Sequence, residues 1–128
     1  MFVKTYSAIN LALNVKTIEV EVDTVIGKPS FVLIGLANRA VEESKERISA
    51  ALMHCGVRIK PLRTVVNLAP AELKKTSSAL ELAIAVALLL QYGEINIHVQ
   101  QALFLGELSL TGELKAVKGI LGIALQAK

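Results

Sequence analysis

Between Thr17 and Asp23 the chain alternates strictly: Ile18, Val20 and Val22 interleave with Thr17, Glu19, Glu21 and Asp23. A period of two predicts a strand with one wet face. Val3 to Ile9 is a weaker candidate for its partner, and Gly27-Lys28-Pro29-Ser30 marks a turn. The short continuous apolar run Phe31 to Ile34 predicts a more buried strand. The period then changes. From about Arg39 to Cys55, one helical stripe carries Val41, Ser44, Ile48, Ala51, Leu52 and Cys55, while Glu42, Glu43, Lys45, Glu46 and Arg47 cover most of the rest. Asn38 is placed to cap this helix, two glutamates suit its first turn, and Gly56 is placed to end it.

Arg63 to Leu68 reads as another strand, closed by Pro70. A second helix is predicted from about Ala79 to Gln91; it is apolar nearly all round, so most of its faces should be buried. After a connection from Gly93 to Gln101, short strands are predicted at Leu103–Leu105 and Leu108–Leu110. Leu114–Val117 returns through Thr111-Gly112, and Gly119 opens a last apolar segment, Ile120 to Lys128. That segment carries no stop signal, so the natural polypeptide is expected to continue past Lys128. No internal repeat or low-complexity stretch interrupts the pattern.

The length of 128 residues fits one domain with a real core. Apolar residues at 53% and charged residues at 20% exclude a disordered tail. The net charge of +3 is too weak by itself to argue for nucleic acid. Five aromatic residues and no Trp argue against an aromatic base-stacking platform. Cys55 is the single cysteine, which excludes an internal disulfide and a four-cysteine zinc site and fits a reducing, cytoplasmic compartment. The longest apolar run, Leu82 to Leu90, falls well short of the roughly 20 residues that span a bilayer, and Met1 to Ala8 lacks the apolar core of a secretory signal. No membrane association is expected.

The segment Val66 to Leu82 runs from a strand through a basic loop into the buried helix. Backbone N–H groups at that helix start could bind an anion, with Lys74 and Lys75 adding charge. Capping explains part of the same segment, since Ser78 with Glu81 three residues later has the spacing of a capping box. Between Val57 and Lys75 the bases Arg58, Lys60, Arg63, Lys74 and Lys75 face one acid, Glu72. If the fold gathers them they are candidates for phosphate or other anion contact; otherwise they form a solvated surface. Glu19, Glu21 and Asp23 would repel nucleic acid from their own strand face. His54 and Cys55 are helix neighbours about 100° apart, and His98 is the other histidine, so no metal site is expected. No phosphate loop of the form G-x-x-x-x-G-K-[ST] occurs, and Gly119-Ile120-Leu121-Gly122 reads as close packing.

Several blocks, in order, resemble one family. They are Tyr6-Ser7-Ala8, Val20-Glu21-Val22-Asp23, Phe31-Val32-Leu33-Ile34-Gly35-Leu36, Ala40 to Arg47, Val66 to Lys75, and Phe104-Leu105-Gly106-Glu107-Leu108-Ser109-Leu110-Thr111-Gly112. Together they resemble the amino-terminal domain of the magnesium-chelatase-like AAA+ ATPases of bacteria, the ComM/YifB family, over nearly the whole chain. The resemblance implies an α+β fold, a mixed β-sheet with packed helices, like the second domain of small-subunit ribosomal protein five and the Lon protease domain. It implies a downstream AAA+ module that binds ATP and Mg, while this domain itself carries no cofactor. It also implies a hexameric full-length assembly that acts on DNA by branch migration during natural transformation and recombination. The domain itself is then expected to be non-catalytic, contacting DNA or serving as an interaction and assembly module.

The sequence departs from the family pattern in two places. Ala37-Asn38 stand where Pro-Asp is common. Ser77, Leu80, Glu81 and Ala83 replace the usual Gly, Phe, Asp and Pro, so the carboxylate persists as Glu81 and the loop glycine is lost. The Lon kinship raises a second reading, a Ser–Lys peptidase with Ser78 at the serine position. Such catalysis needs a lysine of depressed pKa beside the hydroxyl. The aligned position is Leu121, with Lys118 about one turn earlier, which disfavours this reading.

Overall fold

The computed structural model describes residues 2–11, 14–70, 75, 78–117 and 120–126. Among them, strands β1 (Phe2–Leu11), β2 (Asn14–Val25), β3 (Ser30–Ile34) and β4 (Arg63–Ala69) form a sheet in the order β1-β2-β4-β3. The β1–β2 and β2–β4 pairs are antiparallel and β3–β4 is parallel. The sheet is therefore mixed, and with helices α1 (Asn38–His54), α2 (Glu81–Gln91) and α3 (Ile120–Gln126) the class is α+β. A short hairpin of β5 (Glu107–Leu108) and β6 (Leu114–Lys115) completes the order.

The alternation in β2 sets which face is covered. Ile18, Val20 and Val22 are fully buried, as are Val66 and Leu68 of β4, while Glu19, Glu21 and Asp23 share the other face. β1 is longer than its weak apolar pattern predicts, because its core-facing positions include Thr5 and Ser7, both fully buried. The Thr5 hydroxyl donates to the Ala83 carbonyl of α2 at 2.9 Å, which ties the helix across the sheet. Ala83 and Ala87 let α2 approach closely, and Ile84 and Leu88 are buried in the core that α2 shares with the sheet. Full burial of each such branched side chain stabilises the fold by about 1.5–3 kcal/mol.

β3 is an edge strand rather than a more buried one: only Leu33 is buried, and Ile34 is exposed. Its apolar run reflects contact with α1 on one side only. At α1 the cap position falls on Ala37, without a side-chain cap bond, and the first turn holds no acid; Glu42 and Glu43 lie one turn further on. Its C-terminus follows the sequence. Gly56 has φ +84°, Gly56 N–H donates to Met53 O at 3.0 Å and Val57 N–H to Leu52 O at 2.8 Å. This is a Schellman ending. Cys55, expected on the buried stripe, is exposed. Leu103–Leu105 is not a strand; it runs beside β1 with Phe104 N–H donating to Tyr6 O.

Candidate functional site

The start of α2 holds a buried ionic network. Glu81 is 1% exposed. Its carboxylate accepts from Ser44 Oγ at 2.8 Å, from Arg47 Nε at 2.8 and 3.0 Å, and from Leu108 N–H at 3.1 Å. Arg47 Nη2 adds a contact at 2.7 Å. The hydrogen bond to Glu81 raises the Arg47 pKa above its ordinary value; partial burial opposes this, and the charges of Glu81, Glu107 and Glu43 add to it. Next to the network, Ser78 Oγ donates to Glu107 Oε2 at 2.8 Å. Backbone bonds from Leu82 N–H to Gly106 O and from Gly106 N–H to Ala79 O lock the same two segments together.

This arrangement corrects the capping-box reading. Ser78 begins a 3-10 turn, Ser78–Leu80, and α2 starts at Glu81 without a side-chain cap. The Glu81 carboxylate joins α1, α2 and β5 instead, through partners 34 and 37 residues away in sequence. A carboxylate holding this many donors is suited to fixing three elements, not to moving protons. The Ser78 hydroxyl faces a carboxylate rather than an amine. Leu121, at the aligned lysine position, is 74% exposed on α3.

The candidate basic residues separate into two groups. Arg63 opens β4, and the preceding loop carries the exposed Arg58 and Lys60. Lys60 Nζ donates to Tyr92 O at 3.3 Å, at the C-terminus of α2, and lies 5.3 Å from the Tyr92 ring centroid. A cation there complements the helix dipole, so Lys60 has a structural use as well. Lys75 lies beyond the other end of β4, whose Ala69 is about 20 Å from Arg63 by strand rise. Its neighbour across a parallel bridge is Leu36, and Ala37 N–H donates to its carbonyl. The side chain is fully buried, and Nζ donates to Pro70 O at 2.7 Å. Lys75 is thus a core cation and is removed from any exposed anion-contact set. Lys74, Ser77, Lys118 and Gly119 lie outside the described residues.

Sequence reasoning missed Ser44, Arg47 and Glu107 in the buried network. Only the polar Ser44 on an otherwise apolar stripe signalled them. It also missed that the Gly27-Lys28 turn lies against Arg63: a Cβ on Gly27 would lie 3.8 Å from Arg63 Cβ, and Lys28 is the next residue. Among the described residues no group of His, Cys, Asp and Glu could hold a metal ion, and no helix is long and apolar enough to cross a membrane.

Residues 20–128 match the sequence model of the family described as subunit ChlI of Mg-chelatase. The chain belongs to this ChlI family. It is 35% identical over 124 residues to competence protein ComM of Haemophilus influenzae, covering 96% of this chain and 24% of that protein. It is also 35% identical over 118 residues to the uncharacterized protein YifB of Salmonella typhimurium, covering 91% of this chain and 23% of that one. An uncharacterized protein of Mycobacterium bovis is 35% identical over 126 residues, covering 98% and 25%. This ChlI-family chain therefore spans about a quarter of the length of the curated relatives it matches.

Proposed function

We propose that this ChlI-family chain is the non-catalytic N-terminal domain of a DNA-processing AAA+ ATPase of the ComM/YifB type. The observation that carries the proposal is the likeness to competence protein ComM over 96% of the chain. On this reading the mixed sheet and its helices belong to the Lon-like class, shared with the second domain of small-subunit ribosomal protein five. A single ChlI-type domain precedes a AAA+ module, which supplies the ATP and Mg chemistry. The whole protein works in the cytoplasm as a hexameric ring, driving DNA branch migration during natural transformation and recombination.

The exposed cations Arg58, Lys60 and Arg63 are the proposed DNA contacts. They lie within six residues, a reach of at most about 18 Å. The acids Glu19, Glu21 and Asp23 occupy the sheet face that also carries Arg63, which confines the proposed contact to the Arg63 end of that face. The test is DNA binding by fluorescence anisotropy across a salt series. Each neutralised phosphate contributes about −0.7 to −0.9 to the log–log slope. The triple variant Arg58→Gln/Lys60→Gln/Arg63→Gln should flatten that slope by roughly 2 units. An unchanged slope would remove these residues from the interface.

A second reading, a protein-docking and assembly module, is favoured by one feature. An apolar groove of about 240 Å³ lies between α1, α2 and the β5–β6 hairpin, lined by Leu52, Cys55, Leu82, Leu89 and Leu114. Concentration-dependent self-association abolished by Leu114→Glu would support it.

A further inference from the structure

The turn joining β2 to β3 has an unusual surface. Residues 25–30 are all exposed, and Ile26 at the tip is 96% exposed. Val25 (45% exposed) and Phe2 (56%) extend the apolar strip along the sheet. A large aliphatic side chain in this position makes no use of the fold's own core. Two cations lie close to the turn. Lys28 is two residues on, and Arg63 is directly opposite Val25 across the β2–β4 pair and opposite Ser30 across β3–β4. Ser30 N–H donates to Leu62 O, which holds the turn against the loop carrying Arg58 and Lys60.

An exposed aliphatic side chain with Lys28 and Arg63 beside its turn matches the way proteins place aliphatic wedges against bases while basic side chains hold phosphates. We propose that the Val25–Ser30 turn is a nucleic-acid contact in which Ile26 packs on an exposed base face and Lys28 and Arg63 bind the flanking phosphates. The proposal rests on the DNA-binding reading above and adds its chemistry: the ligand is a strand with unstacked bases, as in single-stranded DNA or at a fork, rather than continuous duplex. A lipid surface fits less well. One isoleucine buries too few CH₂ groups for stable anchoring. A flat anionic surface would also meet the acids of β2, with Asp23 about 7 Å and Glu21 about 13 Å from Val25 by strand rise. A single polynucleotide strand is narrow enough to meet the turn and Arg63 without covering that face.

The test uses the 128-residue chain, with Ile26→Ser and Lys28→Gln/Arg63→Gln variants. Each is titrated against labelled single-stranded, forked and fully paired DNA. Because Ile26 lies outside the core, Ile26→Ser should keep the wild-type Tm. It should weaken single-stranded and forked DNA roughly 5- to 10-fold, the effect of losing a partly buried aliphatic contact, with the duplex and the salt slope unchanged. Lys28→Gln/Arg63→Gln should weaken all three DNAs and flatten the slope by roughly 1.5 units. Wild-type affinity for every DNA in Ile26→Ser would overturn the base contact while leaving the phosphate contacts standing. No binding of the wild type to any DNA at low salt would overturn both readings. Ile26-dependent binding to phosphatidylglycerol vesicles in that case would assign the tip to a lipid surface.

Discussion

Replacing Glu81 tests whether its network holds three elements together. Glu81→Leu removes the acceptor for Ser44 Oγ, for Leu108 N–H and for the Arg47 guanidinium at once. Breaking a buried ion pair from one side costs about 3–5 kcal/mol. The Arg47 side chain is 25% exposed, so its orphaned charge is partly rehydrated; the two neutral donors then raise the total to about 4 kcal/mol. Arg47→Met leaves the buried carboxylate with Ser44 and Leu108 alone and should cost about 3 kcal/mol. Independent effects would sum to about 7 kcal/mol. The double variant should instead cost about 4, because the guanidinium has no acceptor to lose once the carboxylate is gone. Urea unfolding followed by far-UV circular dichroism reads this directly. At an m of about 2 kcal/mol/M, Glu81→Leu lowers the midpoint by roughly 2 M, and adding Arg47→Met leaves it nearly there. Additivity within about 0.5 kcal/mol, or a Glu81→Leu cost under about 1 kcal/mol, would refute the argument.

Two further perturbations have distinct signatures. Gly35 has φ +108°, and a Cβ there would sit 2.5 Å from Leu68 O, so Gly35→Ala must push β3 off β4. It should cost roughly 3 kcal/mol, whereas Gly56→Ala, at φ +84° with nothing within 4 Å, should cost only the left-handed penalty of about 1 kcal/mol, and thermal melts should separate the two. Lys4 pairs with Glu19 at 2.6 Å, a hydrogen bond that raises the Lys4 pKa above 10.5. A raised lysine pKa means the pair's contribution is fully present below 10.5 and lost as pH climbs past it, so the Tm gap between wild type and Lys4→Met should be seen at neutral pH and close in strong alkali.

The elements whose pattern is set by their own burial could be read from the chain. β2 alternates because one face is covered, α2 is apolar all round because it is wrapped, and Gly56 ends α1 through its own backbone angle. What could not be read depends on partners distant in sequence. Ser78 and Glu81 have capping-box spacing, yet their side chains bond to Glu107, Ser44 and Arg47. Lys75 looks like half of a solvated basic pair, and only the crossing of Leu36 beside it makes it part of the core. The apolar run of β3 gave no sign that one of its edges stays open.

These misreadings share a geometry. Lys75, read as an anion-contact candidate, and Glu81, read as half of a capping box, both lie where chain segments converge: Leu36 and Pro70 meet around Lys75, and α1, α2 and β5 meet around Glu81. A charge buried there is costly unless every donor or acceptor is matched, so its partners are spent on holding the fold. At the Arg63 end, Lys28, Arg58 and Arg63 itself stay exposed, and the aliphatic tip at Ile26 adds nothing to the core. Side chains that are not needed to hold elements together are free to contact a ligand. The same division explains why the Glu81 variants should act on stability, whereas the Ile26 and Arg63 variants should act on binding at unchanged stability.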